Sequence, residues 1–226
     1  MVTTSFDPQL LAIHSYADES ALPSDRISLD FLRHRFQRDI FWAPENTEES
    51  SLFKGDAFKP ASVLMPIIAR EHGLQILLTQ RAAHLHHHGG QISFPGGRVD
   101  ATDTSAEHTA LREAQEEIGL ADSQVEVLGR LPQYYTGTGF SVTPVVALVH
   151  PPYEFNSDPF EVASIFEVPL AFLMDPHHHQ RRQIDFPDGS GKRSFYAMPY
   201  QDYFIWGATA GMLRNLFHFL RADLPE

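Results

Sequence analysis

The chain has 226 residues, of which 42% are hydrophobic and 20% charged. This composition predicts one medium-sized domain, or a domain with an extension. Its formal net charge of −12 argues against a nucleic-acid partner. No apolar run approaches the roughly 20 residues of a membrane helix, so no membrane partner is expected either. The absence of cysteine excludes disulfides and thiolate metal sites, and the start lacks a secretory pattern, so a cytoplasmic protein is expected.

Residues 1–58 are predicted to form an N-terminal helical extension and linker, and residues 59–226 the main domain. "SLDFLRHRFQRDI" has apolar residues at helical spacing, with Ser28 as the N-cap. "APENTEESSLFKGD" is polar and typical of a connection.

The main domain begins with a predicted β-hairpin. "ASVLMPIIAR" and "LQILLTQR" are apolar, β-prone runs separated by "EHG". Pro66 suggests an edge strand or a bulge, because proline cannot donate a ladder hydrogen bond.

A glycine-rich passage then leads into a predicted helix from about Thr104 to Ile118. Thr104 and Glu107 have the spacing of a capping box, and Gly119 suits the C-terminal stop. At 100° per residue, Ala114 and Ile118 fall on an arc suited to packing on a sheet, beside an acidic arc.

The remaining elements are predicted mostly as strands. "QVEVLGRLPQYY" and "FSVTPVVALV" are strands around the loop "TGTG", and "FEVASIFEVPLAFLMD" is a strand that turns into a short helix. "RQIDFPDGSGKRSFYAMPYQ" is a hairpin across Asp188–Gly191, and "WGATAGMLRNLFHFLRA" is a terminal helix. Many strands with few helices favour a layered α+β domain.

The acidic arc of the glycine-flanked helix consists of Glu113, Glu116 and Glu117. These carboxylates repel one another and lie in the last turns, where the helix dipole disfavours negative charge. Arg112 is the only lysine or arginine in residues 99–121. A solvated acidic face is one interpretation, but a hard divalent cation would resolve all three problems, because Mg²⁺ or Mn²⁺ prefers carboxylate oxygen.

The same stretch resembles the Nudix box, whose consensus is G-x5-E-x7-R-E-U-x-E-E-x-G-U with U aliphatic. The matching residues are Gly97, Arg112, Glu113, Glu116, Glu117, Gly119 and Leu120. The first acid of the box falls on Asp103, with eight rather than seven residues before Arg112. The resemblance implies a Nudix-type α/β/α sandwich around a mixed β-sheet. It also implies metal-dependent hydrolysis of a nucleoside diphosphate linkage by attack of water on phosphorus.

The resemblance also implies roles for individual residues. Arg112 would orient the glutamates by ion pairing, and the general base would be Glu113 or, more weakly, Glu161. An alternative for Glu161 is a cap or an ion pair within the fold. The implied ligands of Mg²⁺ or Mn²⁺ are Glu113, Glu117, Glu116 (directly or through water) and the carbonyl of Gly97.

Upstream of the box, "LLTQRAAHLHHHGGQISFPGG" resembles the signature of coenzyme A pyrophosphatases. The matching residues are Leu77, Leu78, Thr79, Arg81, Ala82, Gly90 and Phe94 to Gly97. "YFIWGATAGML" is also similar to that subgroup, so the resemblance spans roughly residues 60–215. It implies cleavage of coenzyme A, or its thioesters, to 3′,5′-ADP and 4′-phosphopantetheine or its acyl form.

The candidates for contacting substrate phosphate are Arg81, His86 and Arg98. His86 stands where the signature has arginine, so its charge would depend on pH near neutrality. The alternative for Arg81 is a surface ion pair. The histidine runs are not expected to bind zinc, because adjacent side chains of a strand point in opposite directions.

Two other functions stay open at the level of sequence. One is a Nudix pyrophosphatase for ADP-ribose or another nucleotide sugar, favoured if His86 abolishes recognition of coenzyme A. The other is a non-catalytic Nudix-fold binding module, which the three intact glutamates disfavour. A homodimer is possible.

Overall fold

The computed structural model describes residues 7–45, 51, 53–85, 88–185 and 192–224. In these ranges, one sheet contains β2 (Lys59–Arg70), β3 (Gly73–Arg81), β4 (Ile92–Ser93), β5 (Gly96–Arg98), β6 (Val125–Arg130), β7 (Tyr134–Tyr135), β8 (Phe140–Val149) and β9 (Val162–Pro169). A second sheet contains β1 (Ile13–Tyr16), β10 (Gln180–Asp185), β11 (Lys192–Tyr200) and β12 (Tyr203–Trp206). The α-helices are α1 (Leu29–Phe36), α2 (Ala106–Ile118), α3 (Leu170–Leu173) and α4 (Gly207–Arg221).

The large sheet is mixed, with β2 in its interior. β2 pairs with β8 in parallel from Lys59 to Ile68 and with β3 in antiparallel register. The predicted hairpin is therefore confirmed, but the placement of Pro66 on an edge is wrong. Pro66 occupies a central strand because pairing on its other side ends at Val63 and resumes at Ile67, so its missing N–H interrupts no ladder there.

This gap opens the sheet between β2 and β3. β3 pairs with β2 only through Ile76, while its pairing with β9 extends to Arg81. The segment from β4 to β5 crosses the opening, with β4 on β3 and β5 on the first half of β2. The opening therefore lies where the glycine-rich passage enters α2.

Helix α2 packs its apolar arc on one face of the sheet, as predicted. Ala110, Ala114 and Ile118 are fully buried against a cluster that includes Leu64 and Val145. A buried aliphatic side chain of this kind contributes roughly 1.5–3 kcal/mol, so this face fixes the rotation of the helix and hence the direction of its acids.

The two ends of α2 differ in how well they match the prediction. Gly119 ends the helix in the left-handed region (φ 69°), which confirms the predicted stop. The predicted capping box of Thr104 and Glu107 is wrong. Ser105 is the N-cap and accepts a hydrogen bond from the backbone of His108, while Glu107 pairs with Arg130 on β6. Thr104 and Ser105 can both cap a helix, and Ser105, which directly precedes α2, does so.

The opposite face of the sheet is covered by α4 and by elements from both ends of the chain. Its cluster includes Leu32 of α1 and Leu213, Leu216 and Phe217 of α4. Ser28 caps α1 by accepting from the backbone of Phe31, as predicted. With helices on both faces of a mixed sheet, the predicted α+β fold, an α/β/α sandwich around a mixed β-sheet, is confirmed.

The later strands, α3 and the terminal helix also agree with the sequence predictions. Residues 186–191, with the predicted hairpin turn, and residues 46–50 and 52 of the predicted connection lie outside the described ranges. The division at residue 58 stays a prediction. None of the helices in the described ranges is long and apolar enough to cross a bilayer.

Candidate active site

The acidic side of α2 faces the segment that crosses the sheet opening. A side chain at Gly97 would place its first carbon about 2.5 Å from the carboxylate of Glu113. A side chain at Gly96 would collide with the backbone of Ser62 and Val63. Both glycines are therefore needed for close packing between α2, β5 and β2.

Arg112 connects three carboxylates of the box. Its Nη1 donates to Glu113 Oε1 at 2.9 Å and to Glu116 Oε2 at 3.0 Å. Its Nε and Nη2 donate to Asp103 at 3.0 and 2.9 Å. The ion pairs that the family resemblance implies for Arg112 are thus present in the structure, and the forked guanidinium fixes both glutamates.

Asp103, the first acid of the box, makes contacts that the sequence does not predict. Its side chain is fully buried and also accepts from Thr109 Oγ1 at 2.9 Å and from the backbone of Asp100 at 2.8 Å. Hydrogen bonds from Arg112 hold the pKa of this carboxyl well below its usual range. Although one extra residue separates Asp103 from Arg112, the two side chains still pair. The sequence indicates Asp103 only by placing an acid at the consensus position of the box.

Glu117 is the most buried of the three glutamates, with 3% of the residue exposed. Its Oε2 accepts from the backbone N–H of Gly96 at 3.1 Å, and its Oε1 lies 3.6 Å from Nη1 of Arg81. Burial raises its pKa to about 7, and the nearby charges of Glu113 and Glu161 act in the same direction. The charged form of Glu117 is therefore poorly compensated by the protein alone.

Burial decreases from Glu117 to Glu113 to Glu116. Burial also raises the pKa of Glu113, with smaller contributions from Glu116 and Glu161, although its hydrogen bond from Arg112 opposes the shift. The side chain of Glu116 is 60% exposed. The three acids therefore form a gradient from solvent to the sheet opening.

Glu161 joins the site from a distant part of the chain. It lies on a turn after residue 157, and its carbonyl accepts from the backbone of Ala82 at 2.8 Å. In the same turn, the backbone N–H of Asp158 donates to the carbonyl of Glu117 at 3.0 Å. The charge of Glu161 acts on both Glu113 and Glu117, so the structure brings this predicted residue to the box.

The other two substrate-binding candidates are Arg98 and His86. Arg98 is exposed, its guanidinium lies 5.1 Å from the ring centre of Phe140, and its carbonyl accepts from Arg112 at 3.1 Å. It follows Gly97 on β5, so its side chain points to the face opposite Glu113. His86 lies outside the described residues.

The register of β5 corrects the expected carbonyl ligand. Pro95 and Val99 bond to β2, through Leu64 N–H to Pro95 O at 2.8 Å and Val99 N–H to Pro60 O at 3.1 Å. By antiparallel alternation, Gly97 also directs its peptide groups to β2, opposite Ser62. The Gly97 carbonyl therefore does not fit the expected role. Gly96, whose N–H bonds Glu117, has its carbonyl on the open edge.

The donor set fits a hard divalent cation by its chemistry. It consists of carboxylates whose charged forms are disfavoured by burial and by one another, and a nearby cation would reverse both effects. In the described ranges, no three Asp, Glu or His side chains already converge as a metal site. Arg112 instead occupies an oxygen of Glu113 and one of Glu116.

Comparison with known proteins agrees with this arrangement. The model of the NUDIX domain matches residues 58–185. This chain belongs to the Nudix family. It is 40% identical over 196 residues to a protein named uncharacterized Nudix hydrolase NudL from Salmonella paratyphi B, covering 86% of this chain and 96% of that protein.

Further similar proteins carry the same family name. An Escherichia fergusonii protein, also named uncharacterized Nudix hydrolase NudL, is 43% identical over 159 residues, covering 70% of this chain and 81% of that protein. A crystal structure of the Nudix hydrolase RenU from M. smegmatis is 26% identical with a TM-score of 0.45, covering 51% of this chain and 73% of that one. The prediction of a Nudix hydrolase acting on phosphoanhydride bonds is confirmed.

Proposed function

We propose that this Nudix hydrolase cleaves coenzyme A, or its thioesters, between the two phosphates of its diphosphate, with Mg²⁺ or Mn²⁺. The products would be 3′,5′-ADP and 4′-phosphopantetheine or its acyl form. The observation that supports this most is the 3.6 Å approach of Arg81 to Glu117. Arg81 belongs to the signature that resembles coenzyme A pyrophosphatases, and Glu117 to the box, so the two motifs contribute to one site.

The local fold explains why these motifs meet. The backbone N–H of Arg81 donates to Gln91 O at 2.9 Å, and Gly90 N–H donates to Arg81 O at 3.0 Å. Thr79 Oγ1 donates to Ser93 O at 3.2 Å. The signature therefore folds back on itself at the end of β3, and Arg81 lies beside Glu117, the most buried acid of the arc.

In this proposal, the cation is held by Glu117, Glu113, Glu116 and the carbonyl of Gly96. When bound, it would neutralise charge on the diphosphate and lower the pKa of the water that attacks phosphorus. Arg112 would keep Glu113 and Glu116 in place through its hydrogen bonds.

The other residues would act on the substrate and the water. Arg81 offers a permanently charged guanidinium to a phosphate oxygen, at the cost of its long contact with Glu117. Glu113 is the leading candidate for the general base, because burial raises its pKa and so increases its affinity for a proton. Glu161 is the second candidate, being exposed beside the same carboxylates.

The test is incubation of the protein with coenzyme A and Mg²⁺, followed by mass analysis of the products. Formation of 3′,5′-ADP is expected. Efficient turnover of ADP-ribose with coenzyme A intact would instead support a nucleotide-sugar pyrophosphatase. Absence of turnover with any diphosphate would support a binding module.

The role of Arg81 is tested by Arg81→Ala, with Arg70→Ala as the matched control. Arg70 lies on β2 and ion-pairs with Glu167 at 2.5 Å, away from the box. Loss of a phosphate contact should raise the KM for coenzyme A by about tenfold, equivalent to roughly 1.4 kcal/mol. Arg70→Ala should leave KM unchanged. Equal effects of the two changes would make Arg81 a surface ion pair.

A further inference from the structure

The turn at residues 158–161 is fixed to both sides of the candidate site. On one side, Asp158 N–H donates to the carbonyl of Glu117 at 3.0 Å, and Asn156 N–H donates to the carbonyl of Ile118 at 2.9 Å. On the other side, Ala82, the residue after Arg81, donates to the carbonyl of Glu161 at 2.8 Å. The turn thus bridges the end of the box helix and the end of β3.

Phe160 lies on this turn, directly before Glu161, and is 75% exposed. Its backbone N–H donates to Oδ1 of Asp158 at 2.9 Å, and Val162 N–H donates to Asp158 O at 2.8 Å. These bonds hold the backbone that carries the ring. Among the residues that the structure describes, the ring makes no aromatic or cation–π contact, and most of its surface is exposed.

Exposure alone has no functional meaning, since single apolar side chains are common on protein surfaces. Phe41 shows this: it is 99% exposed in the segment between α1 and Glu45. That segment is bonded to α4 through Glu45 and Asn215, on the face of the sheet opposite α2. Phe160 differs because its turn is hydrogen-bonded to the backbone of Glu117 and precedes Glu161.

We propose that the Phe160 ring stacks on the purine base of the substrate, beside the diphosphate. This inference rests on the proposed function, in which coenzyme A offers one planar base and one flexible pantetheine chain. An exposed ring on a fixed backbone suits a planar partner. Because the backbone is already held, the side chain loses little conformational entropy when a base stacks on it. Base–aromatic stacks of this kind typically change affinity by about tenfold or more.

The experiment compares Phe160→Ala, Phe160→Trp and Phe41→Ala with the parent. Phe160→Ala should raise the KM for coenzyme A and the inhibition constant of 3′,5′-ADP by about tenfold, with kcat within about twofold. Inhibition by 4′-phosphopantetheine, which lacks the base, should not change. Phe160→Trp should restore both constants, and Phe41→Ala should match the parent.

Calorimetric binding of ADP separates this inference from the proposed function. If coenzyme A is not hydrolysed but Phe160→Ala still weakens ADP binding, the proposed function fails and the stacking role holds. Unchanged affinity for both adenine nucleotides in Phe160→Ala would overturn the stacking role, as would absence of ADP binding to the parent. Equal weakening of 3′,5′-ADP and 4′-phosphopantetheine would overturn it too, because the loss would then not be specific to the base.

Discussion

In the part of the chain that the structure describes, acids surround Arg214, which is buried, and Arg112, which is half-buried, and these two clusters differ in electrostatic balance. In one, Arg214 on α4 is 2% exposed and pairs with Glu19 at 2.6 Å and with Glu45 at 2.9 Å. In the other, Arg112 on α2 pairs with Asp103, Glu113 and Glu116, whereas Arg81 stays 3.6 Å from Glu117.

The pKa values of the acids show the consequence of this difference. Burial opposes ionisation of Glu45, yet hydrogen bonding to His218 and the charge of Arg214 lower its pKa to about 2. At Glu117 burial prevails and raises the pKa to about 7. An acid with a lowered pKa is stabilised in its charged form by its partners in the fold. An acid with a raised pKa lacks such compensation, and a further cation would supply it. Three substitutions and one pH dependence test this distinction.

The largest expected effect is on stability, from Arg214→Met. Removing the arginine leaves Glu19 and Glu45 without their cation, which should destabilise the fold by about 3 kcal/mol. Urea unfolding measures this loss, and kcat per folded molecule should stay within about twofold of the parent. If Arg214→Met does not fold, Glu45→Gln provides the same comparison. A tenfold loss of kcat in a folded variant would place the Arg214 cluster in the active site.

Glu117→Gln should have the reverse pattern. The amide oxygen can still accept from Gly96, but an amide is a poorer ligand for Mg²⁺ than a carboxylate. Turnover should fall by about a hundredfold or more, and Mg²⁺ should raise the melting temperature of the variant much less than that of the parent. Initial rates and thermal melts measure both. Near-parental activity would remove Glu117 from the metal site.

The pH dependence of stability in chelator should also distinguish the clusters. The folded pKa of Glu117, about 7, exceeds its ordinary value of 4.5, so its contribution is fully present below 4.5 and is lost as pH rises through 7. The parent should lose on the order of 2–3 kcal/mol between pH 5 and 8 relative to Glu117→Gln. Equilibrium unfolding across this range measures the difference. Parallel curves would mean that Glu117 ionises freely without metal.

The smallest effect is expected from Glu116→Gln in chelator. Glu116 is 60% exposed and pairs with Arg112 at 3.0 Å, and such pairs contribute about 0.5 kcal/mol or less. Its unfolding free energy should therefore match the parent's within that amount. A loss of 2 kcal/mol would show that the acidic gradient along α2 is not set by burial.

The parts of this site that could be predicted from sequence are the local ones. The spacing of Glu113, Glu116 and Glu117 on a helix follows from its periodicity, and so does the burial of Ala114 and Ile118 beneath them. These features depend on neighbours three and four residues away, which a sequence displays directly.

The sequence predictions differ from the structure where two neighbouring residues suit the same role, or where strand pairing determines a residue's position. Ser105 and Thr104 are both good caps, and only the position of the first helical turn selects between them. Gly96 and Gly97 are equivalent in sequence, but their register with β2 directs their carbonyls to opposite sides. The missing N–H of Pro66 suggests an edge strand or a bulge. The opening that admits this proline to a central strand is formed by β3, β4 and β5 together, which the local sequence does not display.

The Arg214 cluster could not be predicted at all. Its bonds to Glu45 and Glu19 join residues separated by 169 and 195 positions. Nothing in the local pattern around Arg214 indicates that its helix is buried against residues from the other end of the chain. Such pairings depend on the completed topology, and they need a structure.

The same long-range bonds have a consequence for synthesis on the ribosome. Arg35 donates to the carbonyl of Phe219 at 2.8 Å, and Glu19 and Glu45 pair with Arg214. All three residues therefore dock on α4, which is made long after them. The nascent chain can pair β2, β3 and β9 and bring Arg81 to Glu117 before α4 has been made. Domains tend to fold from the N-terminus during translation, but the contacts of Glu19, Arg35 and Glu45 with α4 can form only after α4 has been made.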